Sequence, residues 1–187
     1  FVLVERPGSS WCYRVAQRMA TGPSDKLREI SLHGVDVLSF LQQLPCPTQP
    51  AKWARTTFRT FERDWLAVTD ESAKFKTPRD IAEVDFYDSY LSDQVIAGPA
   101  DEAIGRVIQE SVDAVTKLAG LDPSPFTVTV TPTDDKADEV LIKSDDGFIW
   151  DVVMPRATAA GVAITAAMVF PETTGDPVIN FDVKGSA

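Results

Sequence analysis

The 187 residues are 44% apolar and 25% charged, proportions that fit one folded domain and argue against extensive disorder. A net charge of −10 repels polyphosphate, so nucleic acid is disfavoured as a partner. The longest apolar stretch, Ala157 to Phe170, is short and broken by Thr158, Gly161 and Thr165, which argues against a membrane span.

The charge is unevenly spread. Residues 1–60 carry eight Lys/Arg against four Asp/Glu, and residues 61–187 carry ten against twenty-four, so a net +4 head precedes a −14 body. This split fits head-to-body attraction within an assembly or a basic partner, as well as plain solubility. Cys12 and Cys46 match neither a redox pair nor a metal-ligand spacing, and they read as free, partly buried thiols. The first residue is Phe1 rather than Met, which is expected from processing, trimming or disorder upstream.

In chain order, Phe1 to Val4 reads as a short strand ended by a turn at Pro7-Gly8-Ser9-Ser10. Residues 11–21 have no clear period. A helix is expected from Ser24 or Asp25, carrying Leu27 and Ile30 inward, interrupted at His33-Gly34 and resumed by Val37, Leu38, Leu41 and Leu44. Pro45, Pro47 and Pro50 then impose an extended connector.

A second helix is expected over residues 52–68, where Trp53, Phe58, Phe61, Trp65 and Leu66 supply a core stripe and Arg55, Arg59 and Arg63 recur every four residues. A third is expected over residues 77–96, opened by Thr77, Pro78 and Asp80. Its spacing puts Ile81, Val84, Leu91 and Val95 on one stripe together with Asp88, and Phe86 and Tyr90 on another with Tyr87 between them. A helix apolar on two sides must be sandwiched. Phe86, Tyr87, Tyr90, Trp53, Arg55 and Arg59 are therefore the candidate interaction residues. Asp80, Glu83, Asp85, Asp88 and Asp93 cannot all converge on one ion from a single helix, so no metal site is assigned to them.

The fourth helix opens at Pro99-Ala100-Asp101-Glu102, buries Ile104, Val107, Ile108, Val112, Val115 and Leu118, and closes at Gly120. Glu102 with Arg106, and Asp113 with Lys117, form acid-before-base pairs four residues apart. Beyond Pro123 and Pro125 the apolar residues alternate, and five strands are expected near 126–131, 138–144, 147–154, 162–170 and 178–184. Asp145-Asp146-Gly147 reads as a tight hairpin turn.

Together these elements predict a single α+β domain over residues 1–187: about four helices in residues 1–122, packed on an antiparallel sheet of about five strands in 126–185. Catalytic signals are poor. Asp151 and the later Asp182-Val183-Lys184 resemble, over three residues, the carboxylate and lysine arrangement of metal-dependent nucleases, whose chemistry needs those groups on adjacent strands around a cleft. An intervening strand and the acidic body argue against it. His33, the one histidine, stands beside Gly34 and reads as a turn or capping residue. No catalytic residue, cofactor or metal is assigned. The expectation is a structural or protein interaction subunit, with a protein partner or self-association. The alternatives are a metal-dependent hydrolase using acidic residues and an acidic inhibitor of a basic partner.

Overall fold

A computed structural model describes residues 1–7, 11–23, 25–26, 28–50, 95–132, 138–170 and 176–185, and the backbone of 9–10, 54–58 and 84–88. The chain opens with three strands, β1 (Val2–Arg6), β2 (Ser9–Thr21) and β3 (Glu29–Asp36), in an antiparallel sheet ordered β1-β2-β3. A 3-10 turn follows over Val37–Gln42, capped by Asp36, whose Oδ1 accepts the Leu38 N–H at 2.8 Å. Next come β4 (Ala54–Phe58) and β5 (Val84–Asp88), paired antiparallel, and β6 (Val95–Pro99), which runs directly into α1 (Ala100–Leu118). The remaining elements are β7 (Phe126–Thr131), β8 (Glu139–Lys143), α2 (Ile149–Ala159), β9 (Ala163–Val169) and β10 (Val178–Lys184). β6 pairs with β8, and a second three-stranded sheet is ordered β7-β10-β9. In that sheet β10 runs parallel to β7 and antiparallel to β9.

This architecture overturns the expected helical half on a five-stranded sheet. Where a first helix was expected, Glu29–Asp36 is a strand: Ile30 and Leu32 lie on one face, with Glu29, Ser31 and His33 on the other. The second and third helices fail at 54–58 and 84–88, where Thr56, Thr57 and Phe58 face Phe86, Asp85 and Val84 across a strand pair. Their β-branched and aromatic content suits a pleated surface better than a helix. The third fails again at Val95–Pro99, and the other residues of both helices lie outside the described residues.

The expected strand at 147–154 is instead helix α2. Its buried residues Ile149, Val152, Val153 and Ala157 follow helical spacing, which reads as apolar on both faces when taken two by two. Pro155 inside this helix has no N–H to give the Asp151 carbonyl. The Asp145-Asp146-Gly147 segment therefore turns from a strand into a helix, with Asp146 in the left-handed region at φ 60.

Helix α1 forms as its sequence predicts. Gly120, at φ 67, lets the Leu121 N–H reach back to the Thr116 carbonyl at 3.0 Å and close the helix. Arg106 pairs forward with Glu110 at 2.6 Å rather than back with Glu102. The core lies between α1, α2 and the inner face of β7-β10-β9. Ile104, Val107, Ile108 and Val112 meet Ile149 and Val153, with Ile179, Phe181 and Val183 beneath them. Gly105 sits where α1 crosses β7, and a side chain there would overlap Val130. Among the described residues no helix is long and apolar enough to cross a membrane.

Candidate functional site

The β1-β2-β3 sheet has two unlike faces, and its pairing fixes which residue lies on which. On the inner face Cys12 is buried, with its thiol directed at the Met168 sulfur of β9 at 3.8 Å. Arg14 lies over the Phe40 ring at 5.3 Å and donates to Gln43 Oε1 at 3.1 Å. Phe40 continues a ring series from Phe1 to Phe126 and on to Phe181 in the core. These contacts anchor the base of the sheet to the body.

β2 is much longer than β1, so beyond Tyr13 it continues with β3 alone as a two-stranded arm. Residues 16–21 and 28–30 are all exposed. At its tip the Arg28 N–H donates to the Thr21 carbonyl at 2.9 Å, with Gly22 at φ 126 in the turn. A bulge between Val15 and Gln17 shifts the register midway. Opposite it, Gly34 approaches the Arg14 carbonyl and Val15 backbone so closely that a Cβ would collide with them.

The outer face reads, from base to tip, Val4 beside Trp11, Val2 beside Tyr13 and Asp36, Val15 beside Gly34, Arg18 beside Leu32, and Ala20 beside Ile30. Val4, Trp11, Tyr13, Leu32 and Ile30 are 37%, 40%, 36%, 49% and 48% exposed. Rings and aliphatic groups of this size leave on the order of 400 Å² of apolar surface in one row. That is comparable with the largest patch on a typical monomer, about 300–600 Å² and commonly functional. The distal inner face is more polar, with Gln17 beside His33 and Thr21 beside Glu29, interrupted by Met19 beside Ser31. His33 is thus an exposed strand residue, not a turn or cap.

Two other places concentrate polar groups. In the core, the Ser111 hydroxyl donates to Cys46 Sγ at 3.5 Å, and the Cys46 thiol donates to Ser144 Oγ at 3.3 Å. Burial pushes the Cys46 thiol above its ordinary value of 9.0, which the two serine hydrogen bonds only partly offset. A protonated, enclosed thiol is a packing group, not a nucleophile. Cys12 is also free and buried, as the sequence reading expected. An open cleft of about 420 Å³ lies between α1 and β7, with Val128, Val130 and Pro132 on one side and Glu102, Arg106 and Gln109 on the other. Arg106 is held there by Glu110, and Gln109 by Asp113 at 2.7 Å.

The structure does not bring the nuclease-like residues together as that chemistry needs. Asp151 is exposed on α2, whereas Asp182 and Lys184 are on β10. Among the described residues no group of three His, Cys, Asp or Glu side chains could hold a metal ion.

Of the expected interaction residues, Trp53, Arg59 and Tyr90 lie outside the described residues. Arg55 is placed opposite Tyr87, and Thr56 opposite Phe86, as backbone positions of β4 and β5. The apolar outer face of the arm is a different surface. Its signal was the alternation of Trp11, Tyr13 and Val15 with Cys12 and Arg14, which the bulge then breaks. No protein-family model matches the chain, and no curated protein is significantly similar to it.

Proposed function

We propose that this protein acts without catalysis, as a structural or interaction subunit of a larger assembly, and that the outer face of the β1-β2-β3 sheet is its contact surface. The observation that carries this reading is that Val4, Trp11, Tyr13, Leu32 and Ile30 stay exposed on one face of the sheet, with Asp36 and Arg18 as the charged groups among them. Water-exposed apolar surface is unfavourable by about 25 cal/mol per Å², so covering about 400 Å² is worth on the order of 10 kcal/mol before the costs of association. The arm contributes little to the core, so interior packing gives no account of its apolar face.

The test compares wild type with the double variant Ile30→Lys, Leu32→Glu, which should retain the wild-type fold because both side chains face solvent. Wild type is expected either to associate or to bind an apolar dye such as ANS, and the variant to do neither while keeping its far-UV circular dichroism. A wild-type chain that stays monomeric and binds no dye would refute the reading.

A further inference from the structure

We infer that the free edge of β7, beside α1, binds an extended segment of another protein as an added strand, and that this segment carries a basic residue followed at alternate positions by two apolar ones. The site is a different surface from the outer face of the arm, and the inference stands independently of the reading above.

β7 is an edge of the β7-β10-β9 sheet, whereas β9 at the other edge packs against β2 and the 3-10 turn. The Ile179 N–H donates to the Pro125 carbonyl at 2.9 Å, and from that start the parallel register commits the backbone groups of Thr127 and Thr129 and the N–H of Thr131 to β10. Phe126, Val128 and Val130 therefore turn their N–H and C=O groups to the open side. Phe126 is closed off by Ser124, whose hydroxyl accepts the Phe126 N–H at 3.2 Å and donates to its carbonyl at 3.0 Å. At the other end Pro132 has no N–H to give. Val128 and Val130 remain, with two donors and two acceptors that no described residue meets. An antiparallel strand fits this bracketed stretch through four backbone hydrogen bonds in one register. Natural edges are protected by charge, proline or a bulge, and Phe126–Thr131 has none of these.

The cleft between α1 and β7 receives the side chains. Val128 and Val130 face the core side of the sheet, and Thr127 and Thr129 lie on the opposite face, where both donate to Asn180. Residues of an added strand opposite Val128 and Val130 put their side chains on the valines' face, into the cleft of about 420 Å³, a volume within the range of ligand sites, about 300–1,000 Å³. Of the two charged residues on its helical wall, Arg106 is held by Glu110, and Glu102 makes no ion pair among the described residues. The short segment 119–125 joins α1 to β7, so the two run in opposite directions, and with Gly105 against Val130 the Glu102 end of the cleft lies beside Pro132. An antiparallel segment passes Pro132 first and then Val130 and Val128. Its basic residue therefore meets Glu102, and its two apolar residues enter the cleft. A second copy paired β7 to β7 brings no cation to Glu102, because Phe126–Thr131 is uncharged.

The test uses the intact 187-residue chain and a hexapeptide, blocked at both ends, that reads arginine, threonine, valine, threonine, valine, threonine. Binding is followed by fluorescence anisotropy up to about 1 mM, and amide hydrogen exchange by NMR. In the free chain the Val128 and Val130 amides should exchange rapidly and those of Thr127 and Thr129 slowly, and the peptide should slow the two valine amides at least tenfold. Methylating the peptide's two valine nitrogens should abolish binding, whereas methylating the threonine nitrogen between them, which faces away from β7, should not. Glu102→Arg, a substitution at an exposed helix position, should weaken the arginine peptide about tenfold and favour the same peptide with glutamate in place of arginine.

No binding at about 1 mM, or binding indifferent to methylation of the valine nitrogens, overturns the inference. Val128 and Val130 amides already protected in the free chain overturn it too, because the chain then covers its own edge. Self-association that Glu102→Arg relieves also overturns it and gives the edge to a second copy. The Ile30→Lys, Leu32→Glu variant should bind the peptide as wild type does, so the arm can fail its own test with this site intact, and this site can fail with the arm's role intact.

Discussion

The crossing of α1 over β7 gives a sharp test of the fold, because two effects of known size oppose each other at Gly105. Alanine favours a helix interior over glycine by about 1 kcal/mol. At Gly105, however, the added methyl would occupy the space of a Val130 γ-methyl, and forcing a methyl into a filled contact costs about 1–3 kcal/mol. Gly105→Ala should therefore destabilise the protein by about 1 kcal/mol net. Val130→Ala removes two methyl groups from a half-buried side chain and should also cost about 1 kcal/mol. In the double variant the new methyl fills the vacated space and the helix preference is kept, so its stability should return to near wild type, a coupling of about 2 kcal/mol. Urea denaturation of the four proteins, with equal slopes, measures this directly. Additivity to within about 0.5 kcal/mol would show that the helix and strand are not in the close contact described.

Three further outcomes follow from single groups. Burial raises the folded pKa of Cys46 above its ordinary 9.0, so its contribution is fully present below that pH and is lost as the pH rises beyond it, where the unfolded thiol ionises and the folded one does not. Cys46→Ser should flatten the fall in stability above pH 9.0 relative to wild type, measured as the difference between the two proteins' melting temperatures against pH. Asp146 accepts both the Thr48 N–H at 2.7 Å and the Thr48 hydroxyl at 3.1 Å while in the left-handed region. Asp146→Ala should cost about 1–3 kcal/mol in thermal denaturation and Asp146→Asn distinctly less, because asparagine tolerates that φ and still accepts. On β10, one carboxylate oxygen of Asp182 is shut off from solvent with no hydrogen-bond partner among the described residues, between Thr129 and Thr165. Asp182→Thr should be neutral or stabilising by up to about 1 kcal/mol, and a clear loss of stability would reveal a partner for that oxygen.

Elements that carry their own short-range signal were legible. Helix α1 repeats its apolar residues at helical spacing over its length and ends at a glycine, and β7, β9 and β10 alternate between proline- and glycine-rich turns. The misread elements share a different property: their local pattern fits two periods. In α2, Ile149, Trp150, Val152, Val153 and Met154 leave too few polar positions to distinguish a buried helix from a buried strand, and Pro155 weighs against the helix that forms. From Ile30 to Leu41 the apolar spacing combines a strand and a 3-10 turn, and run together they imitate one interrupted helix stripe; Leu27 lies outside the described residues. The parallel pairing of β7 with β10 was also hidden, because strands so far apart in sequence are brought side by side by long-range packing. The arm's apolar outer face was illegible for the same reason as its strands. An apolar row normally implies burial, and nothing local says that this one is left in water.

The bulge between Val15 and Gln17 accounts for both the missed strand and the shape of the face. Before it, Trp11, Tyr13 and Val15 point outward; in an unbroken strand Gln17, Met19 and Thr21 would continue that row, because side chains alternate with a period of two. The extra residue reverses the phase, so Arg18 and Ala20 take the outward positions and Met19 moves to the other side. On β3 the alternation runs through unshifted and supplies Leu32 and Ile30 beside them. The bulge thus places a cation and a small aliphatic group beside Leu32 and Ile30, at the tip of a face whose base holds two aromatic rings and an aspartate. Gly34 is required opposite it, because any side chain there would strike the Arg14 carbonyl. A pattern that looks like a lapse in strand periodicity is therefore the feature that brings Arg18 and Ala20 onto the same face as Leu32 and Ile30.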